Sequence, residues 1–170
     1  MNAAKHLFGP RPESLLTFPD GLEQVVLGTD ATRLLRRAAQ ERGAPRSGLL
    51  FGRAVASTLE VTAAMMDRPP TLPLGEPLAL DPAFLLGASE ALLLTSSGLV
   101  DWCGMWIVEP DSEWMPEVWE RRWFRQAFRQ GLVNDQRLLL QVGFDGGLLV
   151  GQALIGDAMG AAVPLPLTWP

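Results

Sequence analysis

Three stretches of the chain repeat apolar residues at helical spacing. In residues 31–41, apolar residues follow Ala31 at three, four, seven and eight positions along the chain. This spacing predicts an amphipathic helix, capped by Asp30, with its arginines in water. Residues 83–95, capped by Asp81, are apolar on nearly every side, which implies burial on more than one side. Either that helix packs between the sheet and another subunit or it is a large exposed patch, and both indicate a contact surface. Residues 116–130 carry aromatic residues on one side and arginines on the other, which predicts a helix with an aromatic core face.

Shorter apolar runs between turn residues predict the strands. Residues 47–56 and 59–65, divided by two polar residues, predict a hairpin, and residues 137–155 predict another around an Asp-Gly-Gly turn. The uninterrupted apolar run at 99–108 predicts a buried strand. Shorter strands are predicted at 22–27 and 161–167, and the proline-rich residues 67–77 predict an extended crossing.

Candidate chemistry is concentrated in residues 104–120, where the buried strand ends and the aromatic helix begins. Because side chains two positions apart on a strand share a face, Ile107 and Glu109 are expected to point the same way. A proline is predicted to open the helix, on which Glu117 and Glu120 lie three positions apart on one side. The strand end and the helix start are therefore expected to face each other.

This layout resembles the MPN family, also called JAB, JAMM or Mov34-type. Its zinc peptidases carry Gly-Trp-aromatic-His-Ser/Thr-His-Pro, then six residues, a Ser, two more residues and an Asp, and the spacing fits residues 104–120 without a gap. Ile107 and Glu109 then stand at the two metal histidines, Glu117 at the helix Ser and Glu120 at the metal Asp. The family's catalytic Glu lies three residues before a Gly-apolar-apolar-x-Gly run. Here that run is residues 48–52, and Pro45 takes the place of the Glu.

The resemblance implies a fold and a loss of activity. The fold is a single MPN-like, cytidine-deaminase-like α+β domain, a mixed β-sheet flanked by helices, over residues 21–170 after an extended N-terminal arm at 1–20. The changed positions imply a degenerate bacterial-type member without the zinc-ligand motif, a catalytically inactive pseudoenzyme that acts as a protein-interaction or scaffold domain. We expect no catalytic residue, metal or cofactor, and a protein partner or a second copy of the chain.

Two other functions are compatible with the residues. Carboxylates are ligands for hard cations such as Mg²⁺, so Glu109, Glu117 and Glu120, with help from Asp111, are the alternative site of a metal-dependent hydrolase or peptidase. The arginine-rich helix at 116–130 is the alternative site for nucleic acid. The net charge of −5 and the helical spacing of the aromatic residues argue against that second alternative.

Composition narrows the class of protein further. With 170 residues, 48% of them hydrophobic and 19% charged, the sequence predicts one globular domain. The single cysteine, Cys103, excludes an internal disulfide and is predicted to be a core residue, while the single histidine, His6, is predicted to be solvated on the arm. No signal-peptide pattern and no apolar run of about 20 residues appear, so we expect a cytoplasmic protein without a membrane span.

Overall fold

The computed structural model describes residues 16–66, 78, 80–109 and 113–170. Within these residues the chain forms three helices and eight strands. The helices are α1 (Thr29–Gln40), α2 (Pro82–Thr95) and α3, which runs through Pro116–Trp119, a π-helical segment Glu120–Phe124, and Arg125–Arg129. The strands are β1 (Gln24–Leu27), β2 (Arg46–Val55), β3 (Thr58–Met66), β4 (Asp101–Val108), β5 (Leu138–Asp145), β6 (Leu148–Gly156), β7 (Ala162–Leu165) and β8 (Leu167–Thr168).

All eight strands belong to one mixed sheet in the order β7-β6-β5-β4-β2-β3-β1-β8. The pairs β1–β3, β1–β8 and β4–β5 are parallel, and the other neighbours are antiparallel. The strand predicted at 161–167 is divided at Pro166 into β7, which pairs with β6, and β8, which pairs with β1 at the opposite edge. One short segment thus joins both edges, and the sheet is nearly closed into a barrel. The predicted α+β class, a mixed sheet with helices, is confirmed.

Each face of the sheet carries its own apolar cluster. Successive residues of a strand point to opposite faces, and accordingly Leu50 and Trp106 belong to the cluster beside α1, whereas Leu49 and Ile107 belong to the cluster beside α3. In both clusters, buried side chains of the central strands pack with buried side chains of a helix. The central strands are therefore covered on both faces, as the apolar run at 99–108 predicts.

The amphipathic stripe of α1 is buried as predicted, but its N-terminus differs from the prediction. The helix begins at Thr29, and Gly28 rather than Asp30 occupies the capping position, with no side-chain capping bond. The Gly28 carbonyl accepts from the Thr32 N–H at 3.0 Å. Asp30 lies in the first turn, where its negative charge is still favourable, and pairs with Arg33 at 3.1 Å.

Helix α2 is capped as its sequence predicts and leaves much of its apolar surface in water. The Asp81 side chain accepts from the backbone N–H of Ala83 at 2.9 Å. Only Ser89 is fully buried in this helix, while Leu94 is 81% exposed and Leu99, just beyond the helix, is 60% exposed. Within the single chain, this helix therefore presents the apolar surface that both predicted alternatives require.

The end of the predicted N-terminal arm packs into the core, because Leu16 and Phe18 are buried in the cluster beside α1. Residues 1–15 of the arm, including His6, and the predicted crossing at 67–77 lie outside the described residues. None of the helices that the structure describes has the length and apolarity needed to cross a membrane.

Candidate functional site

The sheet brings three of the five positions matched to the MPN motif to one end of two neighbouring strands. Strands β2 and β4 pair antiparallel, with Arg46 opposite Val108. Continuing that register by one residue sets Pro45 opposite Glu109, just outside the ladder. Ile107 lies within the ladder and pairs with both Ser47 and Gln141. This strand end is the place where a site of the predicted kind would be assembled.

Ile107 is completely buried and has no atom that can bind a metal. It belongs to the apolar cluster that also contains Trp119 and Trp123 from α3. The aromatic face of α3 therefore belongs to the same core as the strand position where the motif would place its first histidine. The prediction that this face is core is confirmed for both tryptophans.

Glu109 is also buried, at 7% exposure, and its carboxylate is held by α3. The Trp123 indole N–H donates to the Glu109 Oε1 at 2.5 Å, and the Arg122 Nη1 lies 3.4 Å from the same oxygen. The Arg122 guanidinium in turn stacks on the Trp123 ring, 4.2 Å from its centroid. The carboxylate thus has both a donor and a cation from the helix, which offsets the cost of burying its charge.

Sequence reasoning missed this hydrogen bond between Trp123 and Glu109. The two residues are 14 positions apart and belong to different elements, so no local pattern connects them. The available signal was chemical, since a carboxylate at the end of a buried strand needs a donor and the indole N–H of a core tryptophan needs an acceptor.

Glu117 and Glu120 do not join Glu109 in a metal site. Glu117 is exposed and Glu120 is half-buried on α3. The described residues contain no group of three or more histidine, cysteine or carboxylate side chains placed to hold a metal ion. Asp111, the predicted helper, lies outside the described residues.

The end of β5, next to the candidate site, is covered by the indole rings of Trp119 and Trp114. Trp114 packs edge-on against Trp119, with ring centroids 5.0 Å apart and planes at 71°. A side chain at Gly143 would place its Cβ 2.8 Å from the Trp114 ring and 3.2 Å from the Trp119 ring. Only a glycine at this position lets the two rings lie directly on the strand.

A buried polar row crosses the sheet at the level of Ile107, and sequence reasoning missed it too. Gln141 pairs with Ile107 on one side and with Gln152 on the other, so the three side chains share one face. Gln141 is fully buried, and neither its Nε2 nor its Oε1 has a hydrogen-bond partner among the described residues. Gln152 Oε1 is likewise buried without a partner among them.

Cys103 is a core residue, as predicted. It is fully buried on β4. Burial raises the pKa of the Cys103 thiol far above its usual range, and the neighbouring Asp101 carboxylate raises it further. The thiol therefore stays protonated at neutral pH and does not have the character of a nucleophile.

Over the part of the chain that the structure describes, these features define an α+β fold with a nearly closed, eight-stranded mixed sheet and three helices, whose candidate site is lined by indole rings. Many chains of solved structures match this fold. Among them is the solution structure of protein DSY2949 from Desulfitobacterium hafniense, with a TM-score of 0.63 and 14% sequence identity. The match covers 86% of this chain and 93% of that protein. At this identity the likeness concerns the fold alone.

No protein-family model matches the sequence, and no curated protein matches it.

Proposed function

We propose that this chain is a degenerate MPN-like domain that acts through protein contacts and has no isopeptidase activity. One observation carries the proposal. The position that corresponds to the first metal histidine, Ile107, is fully buried in the apolar cluster that contains Trp119 and Trp123, so core packing occupies the place of the zinc ligand.

The glycines of the two matched motifs support the family assignment. At Gly48, Gly52 and Gly104 a Cβ would lie 1.8, 2.4 and 2.1 Å from a backbone oxygen of the neighbouring strand. Gly104 also has a φ of +150°, a conformation that side-chain-bearing residues rarely adopt. All three glycines are therefore required by close strand contacts, which is what a shared structural frame predicts.

The chemistry of the remaining positions supports the loss of activity. A catalytic zinc needs three protein ligands, a bound water and a base that takes a proton from that water. Ile107 offers no ligand atom, Glu109 is already bound to Trp123 and Arg122, and Pro45 has no acid or base group. Among the described residues nothing replaces the missing ligands.

The exposed apolar surface of α2 and the turn after it supports a role in protein contacts. Leu94 and Leu99 lie close together in sequence and are mostly exposed, and Phe84 at the start of the helix is exposed as well. Large apolar side chains exposed on one helix and the turn after it are a feature of interaction sites. We assign the partner contact to this surface.

The absence of zinc chemistry is tested on the purified protein. Elemental analysis after desalting should show no stoichiometric zinc, and a ubiquitin isopeptide substrate should remain uncleaved when zinc is added. A stoichiometric zinc content together with cleavage would contradict the proposal.

The contact surface is tested by comparing Leu94→Glu with Met159→Glu, an equally simple change at a residue that is 91% exposed and far from α2 in sequence. Proteins that co-purify with the wild type from the native cell should be lost with Leu94→Glu and retained with Met159→Glu. Light scattering of the same variants distinguishes a second copy of the chain from a different partner. If neither variant changes the co-purifying proteins or the mass, α2 is not the contact surface.

A further inference from the structure

Helix α3 presents a row of four arginines, Arg121, Arg122, Arg125 and Arg129, that we call the arginine stripe. All four are exposed. Together with two glutamines they line one surface depression of about 510 Å³. The depression places the four guanidinium groups along a single face over about 12 Å of helix.

Most of the positive charge of the stripe is not neutralised within the described part of the chain. On α1 the situation is different, because Arg33 pairs with Asp30 and Arg37 with Glu41. Among the described residues, Arg122 is the one member of the stripe with such a partner, the buried Glu109. A chain with a net charge of −5 therefore carries a local cluster of arginines, three of which form no ion pair within the described residues.

We propose that the arginine stripe binds an acidic segment of a protein partner. Guanidinium groups bind carboxylates through two parallel hydrogen bonds, so a row of arginines matches a run of Asp or Glu side chains. The two glutamines of the depression add donors and acceptors for the backbone of that segment. This inference rests on the proposed function, since it names the chemistry of one partner contact.

The structure favours an acidic peptide over nucleic acid as the ligand. Single-stranded nucleic acid is usually held by bases stacked on exposed aromatic rings. On α3 the rings of Trp119, Trp123 and Phe124 are at most 3% exposed and face the sheet. A long polyanion would also extend beyond the stripe onto a chain of net negative charge, which a short acidic segment avoids.

The test measures direct binding of a fluorescent peptide of about eight glutamates, which is longer than the stripe when extended. Fluorescence anisotropy compares the wild type with the variant Arg121→Gln, Arg125→Gln, Arg129→Gln. Arg122 is left unchanged because it contacts Glu109. We expect about tenfold weaker binding by the variant, and a marked loss of wild-type binding between about 50 mM and about 200 mM salt.

The control is Arg33→Gln, Arg36→Gln, Arg37→Gln on α1, which removes the same charge from another exposed helix face. It should bind the peptide nearly as the wild type does, and thermal melts should show that both variants are folded.

Several results would overturn the proposal. One is no binding of the peptide by the wild type up to about 1 mM, because a weaker affinity than that is below specific recognition. Another is an equal loss of peptide binding in the α1 control. The third is tighter binding of an oligonucleotide of equal charge that also depends on the stripe. The peptide assay involves neither zinc nor Leu94. A negative result in this assay would therefore overturn the role of the stripe alone, and the proposed function would still be decided by the zinc and Leu94→Glu experiments.

Discussion

Replacing Trp123 with alanine should destabilise the fold more than most single changes in this chain. The side chain is 3% exposed and packs in the cluster between α3 and the sheet. Truncation of a buried aromatic residue typically costs about 3–5 kcal/mol, because it removes apolar contacts and leaves a cavity. We expect a loss of that size in the free energy of unfolding, measured by urea denaturation.

The variant Trp123→Phe separates the hydrogen bond from the packing. It keeps an aromatic ring but removes the N–H that donates to Glu109 at 2.5 Å. The buried carboxylate would then retain the Arg122 contact at 3.4 Å, which is weak because Arg122 is 61% exposed. A hydrogen bond to a charged group contributes about 1.5–3 kcal/mol, so Trp123→Phe should lose about that much and Trp123→Ala more.

A double-mutant cycle and a surface control make the reasoning refutable. Combining Trp123→Phe with Glu109→Gln removes the donor and the charged acceptor of the same hydrogen bond, so the double variant should lose less stability than the sum of the two single variants. Arg125→Ala, on the exposed side of the same helix, should change stability by at most about 0.5 kcal/mol. An unchanged urea midpoint for Trp123→Ala would show that the aromatic face is not core, and additive losses would show that the hydrogen bond contributes nothing.

The remaining predictions concern Cys103 and the proposed family frame. Burial raises the pKa of the Cys103 thiol in the folded protein above its unfolded value of about 8.5. The free energy of unfolding should therefore be unaffected by this thiol below about pH 8.5 and should fall above it by up to about 1.4 kcal/mol per pH unit, because only the unfolded chain then loses the proton. Urea denaturation at about pH 8 and about pH 10 should show this fall in the wild type but not in Cys103→Ala, and an equal fall in both would contradict it. With no tyrosine and a single lysine in the chain, few other groups titrate in that range. The variant Pro45→Glu, Ile107→His, Glu109→His, Glu120→Asp should gain zinc affinity in a calorimetric titration, because the ladder sets the first three positions at one strand end. A folded variant without that gain would count against the family assignment.

The sequence by itself determined most of the elements, because helix and strand preferences depend on residues close together in the chain. The hairpin of β2 and β3, the capping of α2 by Asp81 and the core face of α3 all follow from spacing and side-chain chemistry within one segment. Even the Gly48 and Gly104 motifs could be read as structural, although the sequence did not show which strand approaches each glycine so closely.

Only the tertiary structure decided what covers each apolar face and which polar groups meet. Local spacing predicts that a face is apolar but contains no information about its partner, so it left open whether α2 is buried. The closure of the sheet through β7 and β8, the burial of Leu16 and the hydrogen bond from Trp123 to Glu109 join segments that are distant in sequence. Such contacts depend on the packing of the whole chain, which is why the candidate site could be located from its motif but its filling by indole rings could not be predicted.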